Sequence, residues 1–337
     1  MPERVVALSE QVSAIATGRV DEIRRVTKLT TILGVNASIE AARSNNAGFA
    51  VVAEEVRKVS EQIEALADRL HQELGAKTTE LHSLGQKLVA DIRGSRLADL
   101  SLGMIDIVDR NLYERSCDVR WWATDSAMVA CANADDDANR AFASSRLGVI
   151  LDSYTVYLDL WVADISGRVL ANGRPRQYAV QGRNVSGEEW FQRGVKTMSG
   201  EEFVACDVAT QEALGGAAVA TYSTAIREEG RTNGRPIGVL GIFFDWDKQS
   251  QVVVDSVRMT DAERSRSRCM IVNREHKLIA CNHRGDLGKT FALQTHGKKM
   301  GSYTQPDGSL VGFALTPGYE TYQGLGWYGV IEQAGAS

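Results

Sequence analysis

The chain has 337 residues, of which 44% are hydrophobic and 24% charged, and its formal net charge is −5 at pH 7. This composition fits a soluble globular protein with room for two or three modules, and it offers no overall positive field to attract nucleic acid. No run reaches the roughly 18 to 20 apolar residues of a membrane span. The five cysteines are scattered without a CxxC pair, so we expect free thiols and a cytoplasmic protein.

Two helical segments joined by a short polar turn dominate the first quarter of the chain. In the first segment Ile32, Val35 and Ile39 share one helix face, with small residues between them. The turn at residues 44–48 contains Ser, Asn and Gly, which compete with helix or end it. From Phe49 to Leu70, apolar residues alternate steps of three and four, which is the spacing of a coiled-coil seam. Because so short a turn makes the helices antiparallel, the sequence predicts a helical hairpin.

The amino-acid sequence of this hairpin closely resembles the signalling tip of bacterial chemoreceptors, the methyl-accepting chemotaxis proteins. The likeness covers residues 23–66 and rests on the runs ILGVNASIEAAR and GFAVVAEEVRKVSEQ. In that family the tip contacts the chemotaxis histidine kinase and its coupling protein, and it packs receptor homodimers into trimers. The resemblance therefore implies a partner-binding surface made of Ile32, Val35, Asn36, Glu40, Arg43 and Val51.

The apolar stripe continues beyond Leu70, and a second helical region is predicted over residues 97–152. Glycines at 75, 85, 94 and 103 interrupt the pattern. Since a glycine costs a helix about 1 kcal/mol relative to alanine, we expect the helical path to bend at these positions, with a loose helix as the alternative. The run Asp135–Asp137 does not converge on a metal site, and a turn between two helices is the better interpretation.

From Tyr154 the pattern changes to the alternation of strands. Two apolar runs around Ser166-Gly167 predict a β-hairpin, a short helix is expected at residues 186–192, and a helical linker at 247–263. The further predicted strands cover residues 203–208, 217–226, 237–245, 269–272, 278–281, 301–304, 310–315 and 326–331. The predicted fold class is α+β: an N-terminal antiparallel helical hairpin or coiled coil, then long helices and two PAS-like antiparallel sheets.

The segments LDLWVADISGRVLANG and NVSGEEWFQRGV resemble the Cache sensor family, whose domains bind small ligands beside a PAS-like sheet. The two predicted sheets in tandem resemble the double-Cache layout. In Cache receptors for amino acids, a Tyr and an Arg precede an aromatic pair on the pocket helix. Trp190 and Phe191 match that pair, but Arg183 and Glu188 stand at the Tyr and Arg positions, which disfavours an amino acid held in the usual way. The ligand-binding candidates are Trp190, Phe191, Tyr178, Arg183, Asp207 and Tyr222. Such aromatic residues can equally be core.

We therefore expect a signalling hairpin at residues 1–96 with its tip at 43–48, connecting helices at 97–152, a first Cache-like module at 153–247 and a smaller second module at 248–337. The five histidines are dispersed and no catalytic motif is present, so we expect no enzymatic activity, cofactor or metal. The predicted function is that of a cytoplasmic, homodimeric chemoreceptor-like transducer that senses a small molecule and controls a chemotaxis kinase. The alternatives are a structural scaffold protein and a fragment of a membrane chemoreceptor.

Overall fold

The computed structural model describes residues 2–43, 45–134 and 136–335, with their side chains except those of Pro2, Glu3, Val5 and Val6. The helices are α1 (Pro2–Arg43), α2 (Ala47–Trp122), α3 (Ser126–Asn133), α4 (Asp137–Ser153), α5 (Glu189–Gly194), α6 (Trp246–Asp255) and α7 (Asp261–Arg264). No helix within the described ranges combines the length and hydropathy that crossing a lipid bilayer requires. The chain divides into two compact units, Met1–Arg93 and Gly94–Ser337.

The strands are β1 (Tyr157–Asp164), β2 (Val169–Asn172), β3 (Val204–Ala205), β4 (Ala209–Gln211), β5 (Ala217–Arg227), β6 (Pro236–Asp245), β7 (Ser267–Val272), β8 (Leu278–Cys281), β9 (Met300–Thr304), β10 (Leu310–Leu315) and β11 (Tyr328–Gln333). They form two antiparallel sheets, so the predicted α+β class is confirmed. The predicted short helix begins three residues later than expected, as α5. The predicted linker is divided into α6 and α7.

The helices of the hairpin meet through a seam of small residues. Over residues 20–41 of α1 the buried positions recur every seventh residue, and over residues 53–67 of α2 they do the same. The seam consists of Val20, Thr27, Gly34 and Ala41 from α1 and of Ala53, Ser60 and Ala67 from α2. The hydroxyls of Thr27 and Ser60 donate to carbonyl oxygens one turn earlier in their own helices, so burying them leaves no unpaired donor. A Cβ at Gly34 would lie 3.3 Å from Val56 Cγ1, which shows how closely the two helices approach.

The apolar stripe that the sequence assigns to a coiled-coil seam lies outside this small-residue seam. Its members Phe49, Val52 and Leu66 are about 60% exposed in the single chain. The hairpin therefore closes on residues that bury little apolar surface, and its large apolar side chains remain exposed.

Helix α2 runs without interruption through the four glycines at which bends are expected. A long helix tolerates isolated glycines whose cost is about 1 kcal/mol each, so bending at these positions stays a prediction. Packing also requires a glycine at position 94, since a Cβ there would overlap the Ser302 side chain.

Helices α3 and α4 follow, each capped by an aspartate. Asp125 and Asp136 accept hydrogen bonds from backbone N–H groups of the first turns, at 2.8 Å. Asp135 lies outside the described residues, as does Ser44 at the hairpin tip.

The two sheets share one strand order. The first is β2-β1-β6-β5-β3, with β4 pairing to β5, and the second is β8-β7-β11-β10-β9. One face of each sheet packs with α2, α3, α4 and α6 into a common core that contains Leu112, Leu160 and Ile271. The opposite face, here called the outer face, carries a separate apolar cluster in each sheet.

Candidate functional site

The six residues implied by the chemoreceptor resemblance lie in the last three to four turns of α1 and the first turns of α2, and all of them are exposed. Arg43 Nη1 lies 4.0 Å from Glu40 Oε2, and Ile32 and Val35, earlier on the same helix, are exposed apolar side chains. Asn46 Oδ1 accepts hydrogen bonds from the backbone N–H groups of Gly48 and Phe49. This cap starts α2 immediately after the turn. The tip thus offers an apolar surface with a charged border, which suits docking to another protein.

Trp190 and Phe191 lie on α5 and pack onto the outer face of the first sheet. Both are about 95% buried. The Trp190 ring centroid is 5.7 Å from that of Phe243, and a Cβ at Gly241 would lie 2.7 Å from the Trp190 ring. The two residues are therefore part of the apolar cluster that covers this face. Trp161 completes that cluster, with its ring centroid 4.1 Å from that of Phe243.

Polar side chains surround the edge of this aromatic cluster. Glu188 Oε2 accepts hydrogen bonds from Trp190 Nε1 at 2.7 Å and from Gln211 Nε2 at 2.9 Å. Arg183 Nε lies 3.9 Å from the other Glu188 carboxylate oxygen, and the Arg183 side chain is 46% exposed. Nearby in the sequence, the hydroxyl of Tyr178 accepts from Gln177 Nε2 at 2.9 Å. We call Arg183, Glu188 and Gln211 the polar rim, since it is the solvent-accessible border of the cluster.

Sequence analysis missed a buried carboxylate on the same side of the sheet. Asp159 is fully buried, and burial raises its pKa, opposed by the hydrogen bonds that its oxygens accept. The donors are Trp161 Nε1, Asn172 Nδ2 and the backbone N–H groups of Leu160, Gly173 and Arg174. These bonds hold the segment after β2 against the sheet. The signal in the sequence is an aspartate inside the otherwise apolar run of β1.

Two of the ligand-binding candidates do not join this site. The Ser223 hydroxyl donates to the Trp190 carbonyl oxygen at 2.7 Å, so the preceding residue Tyr222 points to the opposite face of the sheet. Tyr222 is fully buried in the common core, with its ring centroid 6.4 Å from that of Tyr322. Asp207 lies at the junction with the second sheet, where it accepts a hydrogen bond from Trp327 Nε1 at 3.0 Å.

Comparison with known proteins identifies the first unit. Residues 3–89 match the methyl-accepting chemotaxis protein signalling domain. McpA from Pseudomonas putida is 32% identical over 108 residues, which are 27% of this chain and 17% of McpA. HlyB from Vibrio cholerae is 37% identical over 78 residues, which are 23% of this chain and 14% of HlyB. The chain thus spans less than a fifth of the length of these two relatives. The matched domain is a signalling domain, which agrees with the predicted signalling hairpin.

Comparison with solved structures identifies the fold of the second unit. The sensor domain of the Vibrio cholerae histidine kinase DctB has a TM-score of 0.55 at 12% identity and covers 75% of this chain and 99% of that domain. The sensory domain of the Campylobacter jejuni chemoreceptor Tlp3 has a TM-score of 0.53 at 15% identity, with 71% and 92% covered. The ligand-binding domain of the Pseudomonas aeruginosa chemoreceptor PctC, solved with GABA, has a TM-score of 0.52 at 14% identity, with 72% and 100% covered.

Residues 3–89 are therefore a methyl-accepting chemotaxis protein signalling domain, and the domain that follows them has the double-Cache fold of chemoreceptor ligand-binding domains.

Proposed function

We propose that the chain senses a small molecule through its double-Cache domain and controls a chemotaxis histidine kinase through the hairpin tip. The observation that carries this proposal is the pairing of a signalling-domain match at residues 3–89 with a sensor fold in the same chain. The proposal includes a cytoplasmic location for the hairpin, where such a kinase and its coupling protein would meet it.

The tip is the proposed docking surface for the kinase and its coupling protein. Ile32 and Val51 are 50% and 63% exposed, and the side chains of Glu40 and Arg43 are 71% and 81% exposed. Side chains of this exposure contribute little to the stability of the hairpin itself, so substituting them tests docking rather than folding.

The docking experiment compares the tip with a matched ion pair elsewhere on the hairpin. Glu40→Ala and Arg43→Ala are expected to abolish kinase control in a reconstituted assay while circular dichroism stays unchanged. The controls are Glu80→Ala and Lys77→Ala, because Lys77 and Glu80 form an equally exposed pair at the same i,i+3 spacing. Kinase activity that ignores the wild-type chain, or that responds equally to all four variants, would contradict this assignment and favour the scaffold alternative.

The exposed apolar stripe supports homodimerisation. A surface groove of about 400 Å³ on the hairpin is lined in part by Ile23, Val26 and Ile63. Further apolar residues of α1, including Leu8, Val12 and Leu29, are also about half exposed or more. A second hairpin packed against this side would close a four-helix bundle. Burying each such side chain fully would contribute about 1.5 to 3 kcal/mol.

Light scattering at micromolar concentration tests the dimer. Leu66→Asp places a charge in the stripe without disturbing the small-residue seam, because Leu66 is 61% exposed in the single chain. We expect the wild type to be dimeric and Leu66→Asp to be monomeric. Gln62→Asp, an exposed neighbour outside the stripe, should remain dimeric. A monomeric wild type would refute the four-helix bundle and leave the sensor proposal untouched.

The outer face of the first sheet is the proposed ligand region, with the polar rim as the part that selects the ligand. Arg183 is half exposed, and its 3.9 Å separation from Glu188 leaves the guanidinium room to bind an anionic group. The amide oxygen of Asn172, next to Asp159, is buried and makes no hydrogen bond to the described residues. It is therefore an acceptor that an N–H group of a ligand could satisfy.

One observation favours the scaffold alternative. Trp190, Phe191 and Trp161 pack together on the outer face, which is the arrangement expected of a packing module that needs no ligand. A thermal-shift screen of amino acids and small carboxylic acids on the full chain distinguishes the two. A binder present at 100 times its Kd stabilises by about 2.7 kcal/mol. Arg183→Ala should remove that shift, and the exposed Arg231→Ala should retain it. If no compound in the screen shifts the wild type, the sheet is a packing module.

A further inference from the structure

A single carboxylate joins the two sheets of the double-Cache domain. Asp207 follows β3 in the first sheet. Its Oδ1 accepts a hydrogen bond from Trp327 Nε1 at 3.0 Å, and its Oδ2 accepts one from Asn273 Nδ2 at 3.1 Å. Trp327 directly precedes β11 and Asn273 directly follows β7, and these strands are neighbours in the second sheet. One side chain of the first sheet thus holds two adjacent strands of the second.

Both donors are fixed by other contacts. Asn273 Oδ1 accepts from the backbone N–H groups of Glu275 at 3.1 Å and Lys277 at 2.9 Å. The amide therefore cannot flip without losing two hydrogen bonds, and its Nδ2 faces Asp207. Trp327 is 99% buried, and its ring meets Trp246 edge-on at a centroid distance of 4.8 Å. The carboxylate therefore binds two donors whose directions are set in advance.

The segment that ends at Trp327 also binds α2. The Thr316 hydroxyl and the backbone N–H of Gly318 donate to the buried carboxylate of Asp109 on α2. Tyr319 meets Tyr113 of α2 edge-on at 5.3 Å. A displacement of Trp327 relative to the first sheet would therefore act on the same short segment that holds α2.

We propose that Asp207 is a positioning residue that makes the two sheets respond as one body, so that a change in the first sheet reaches α2 through residues 316–327. The mechanical part of this proposal concerns only the unit Gly94–Ser337. Its consequence for signalling rests on the function proposed above.

An exchange of the two side chains tests the junction. In Asp207→Asn, amide N–H groups would face each other, and in Asn273→Asp two carboxylates would face each other. The double variant Asp207→Asn/Asn273→Asp restores one donor facing one acceptor. It also keeps an acceptor for Trp327 and an acceptor for the Glu275 and Lys277 N–H groups. A local structural role for each residue predicts that the two defects add; a junction predicts that the second substitution repairs the first.

Hydrogen exchange of the full-length chain gives the readout without ligand or kinase. We expect each single variant to accelerate exchange in β7, β11 and residues 104–120 by roughly tenfold or more, as befits losing a hydrogen bond to a charged group. The double variant should return close to the wild-type rates. Asp164→Asn is the matched control, because Asp164 caps a turn of the same kind through Ser166 and Arg168. It should change exchange only around that turn.

Two results would overturn the proposal: unchanged exchange in both single variants, or a double variant as fast as the sum of the singles. Because neither result involves the kinase, failure of the junction is separate from failure of the proposed function. A chain that passes the exchange test but never regulates a kinase would retain the junction and lose the signalling role.

Discussion

The two sheets of the double-Cache domain share their strand order and the turn that follows their first strand, but different elements cover their outer faces. In the first sheet, Asp164 Oδ1 accepts from the N–H groups two and four residues later, and in the second sheet Asn273 Oδ1 does the same. The third turn position is Gly167 at φ +88° in the first and His276 at φ +60° in the second. The outer face is closed by helix α5 in the first sheet and by a loop containing Phe291 in the second.

The difference in one side chain explains why only the second turn serves the junction. A carboxylate has acceptors alone, whereas an amide has an acceptor and two N–H donors. Asn273 can therefore cap its turn and still donate to Asp207. An aspartate at that position would cap the turn equally well but would repel Asp207. The same turn thus occurs in both sheets, and in the second sheet the amide of Asn273 also joins the turn to Asp207.

The largest loss of stability is expected from a substitution that tests how differently the outer faces of the two sheets are covered. Trp190→Ala removes a 96% buried ring that packs against Phe243 and Trp161, and it should cost about 3 to 5 kcal/mol of stability. Phe291→Ala in the second sheet should cost less, because Phe291 is a smaller, less deeply buried side chain. Urea unfolding of both variants measures the difference. Equal losses would show that the two covers contribute alike.

The turn glycine should show the next largest effect. Gly167→Ala places a Cβ in the left-handed region, 2.7 Å from the backbone N of Ser186. The strained φ alone costs about 1 to 2 kcal/mol, and the clash with backbone adds to it. Thermal unfolding should show a clear decrease in Tm. Gly187→Ala is the control, since a Cβ there meets nothing within 4 Å. A Tm unchanged by Gly167→Ala would mean that the turn is free to rearrange.

An exposed ion pair attaches helix α2 near the second sheet. Removing this ion pair should cost less stability than the two substitutions above. Arg96 Nε lies 3.0 Å from Glu263 Oε1. The Thr260 backbone N–H and Arg96 lower the pKa of Glu263 to about 2. A lowered pKa contributes stability above the usual value of 4.5, and that stability is lost as the pH falls towards 2. Glu263→Gln should cost about 1 kcal/mol at pH 7 and flatten the acid side of the stability profile. If stability in the Glu263→Gln variant still decreases with falling pH as it does in the wild type, that decrease is caused by other carboxylates.

Asp118 attaches α2 to the first sheet, and its contribution to stability should change with pH in the direction opposite to that of Glu263. Asp118 accepts a hydrogen bond from the Tyr157 hydroxyl at 2.6 Å, and burial raises its pKa above 3.8. Between 3.8 and the raised value the folded state binds protons that the unfolded state does not, so this residue lowers stability as the pH rises through that window. Asp118→Asn should remove this decrease, with about 1.4 kcal/mol for each pKa unit. Urea midpoints across that window, compared between wild type and variant, measure it. A constant difference would contradict it.

The smallest effect is expected at the second turn. His276→Gly relieves a left-handed φ but loses an edge-on contact with Tyr328, whose ring centroid is 5.9 Å away. These opposing effects should leave a net stabilisation of about 0.5 kcal/mol or less. Differential scanning calorimetry resolves a change of this size. A destabilised variant would show that the aromatic contact outweighs the strain.

The sequence predicted the elements better than the neighbours of individual side chains. The strand–turn–strand unit around Ser166-Gly167 and its repeat in the second sheet are readable because strand alternation and turn residues are local signals. The side of a sheet on which Tyr222 lies depends on the register of β5 against α5, which no local pattern encodes. Asp207 lies in a loop without periodicity, so its partners follow only from how the two sheets pack. At the hairpin, spacing identified the apolar stripe, but heptad spacing does not say which stripe faces the partner helix within one chain.

The aromatic pair at the junction has a spectroscopic consequence. All six tryptophans of the chain lie beyond residue 120, so their fluorescence reports only on the unit Gly94–Ser337, whereas far-ultraviolet circular dichroism also reports on the hairpin. Trp246 Nε1 donates to the Ile279 carbonyl oxygen in the second sheet, and Trp327 Nε1 donates to Asp207 beside the first. Trp246 directly follows β6 of the first sheet and Trp327 directly precedes β11 of the second, so each indole bridges the two sheets. Because the two ring centroids are 4.8 Å apart, their fluorescence responds to a change in the packing of this junction without any added label.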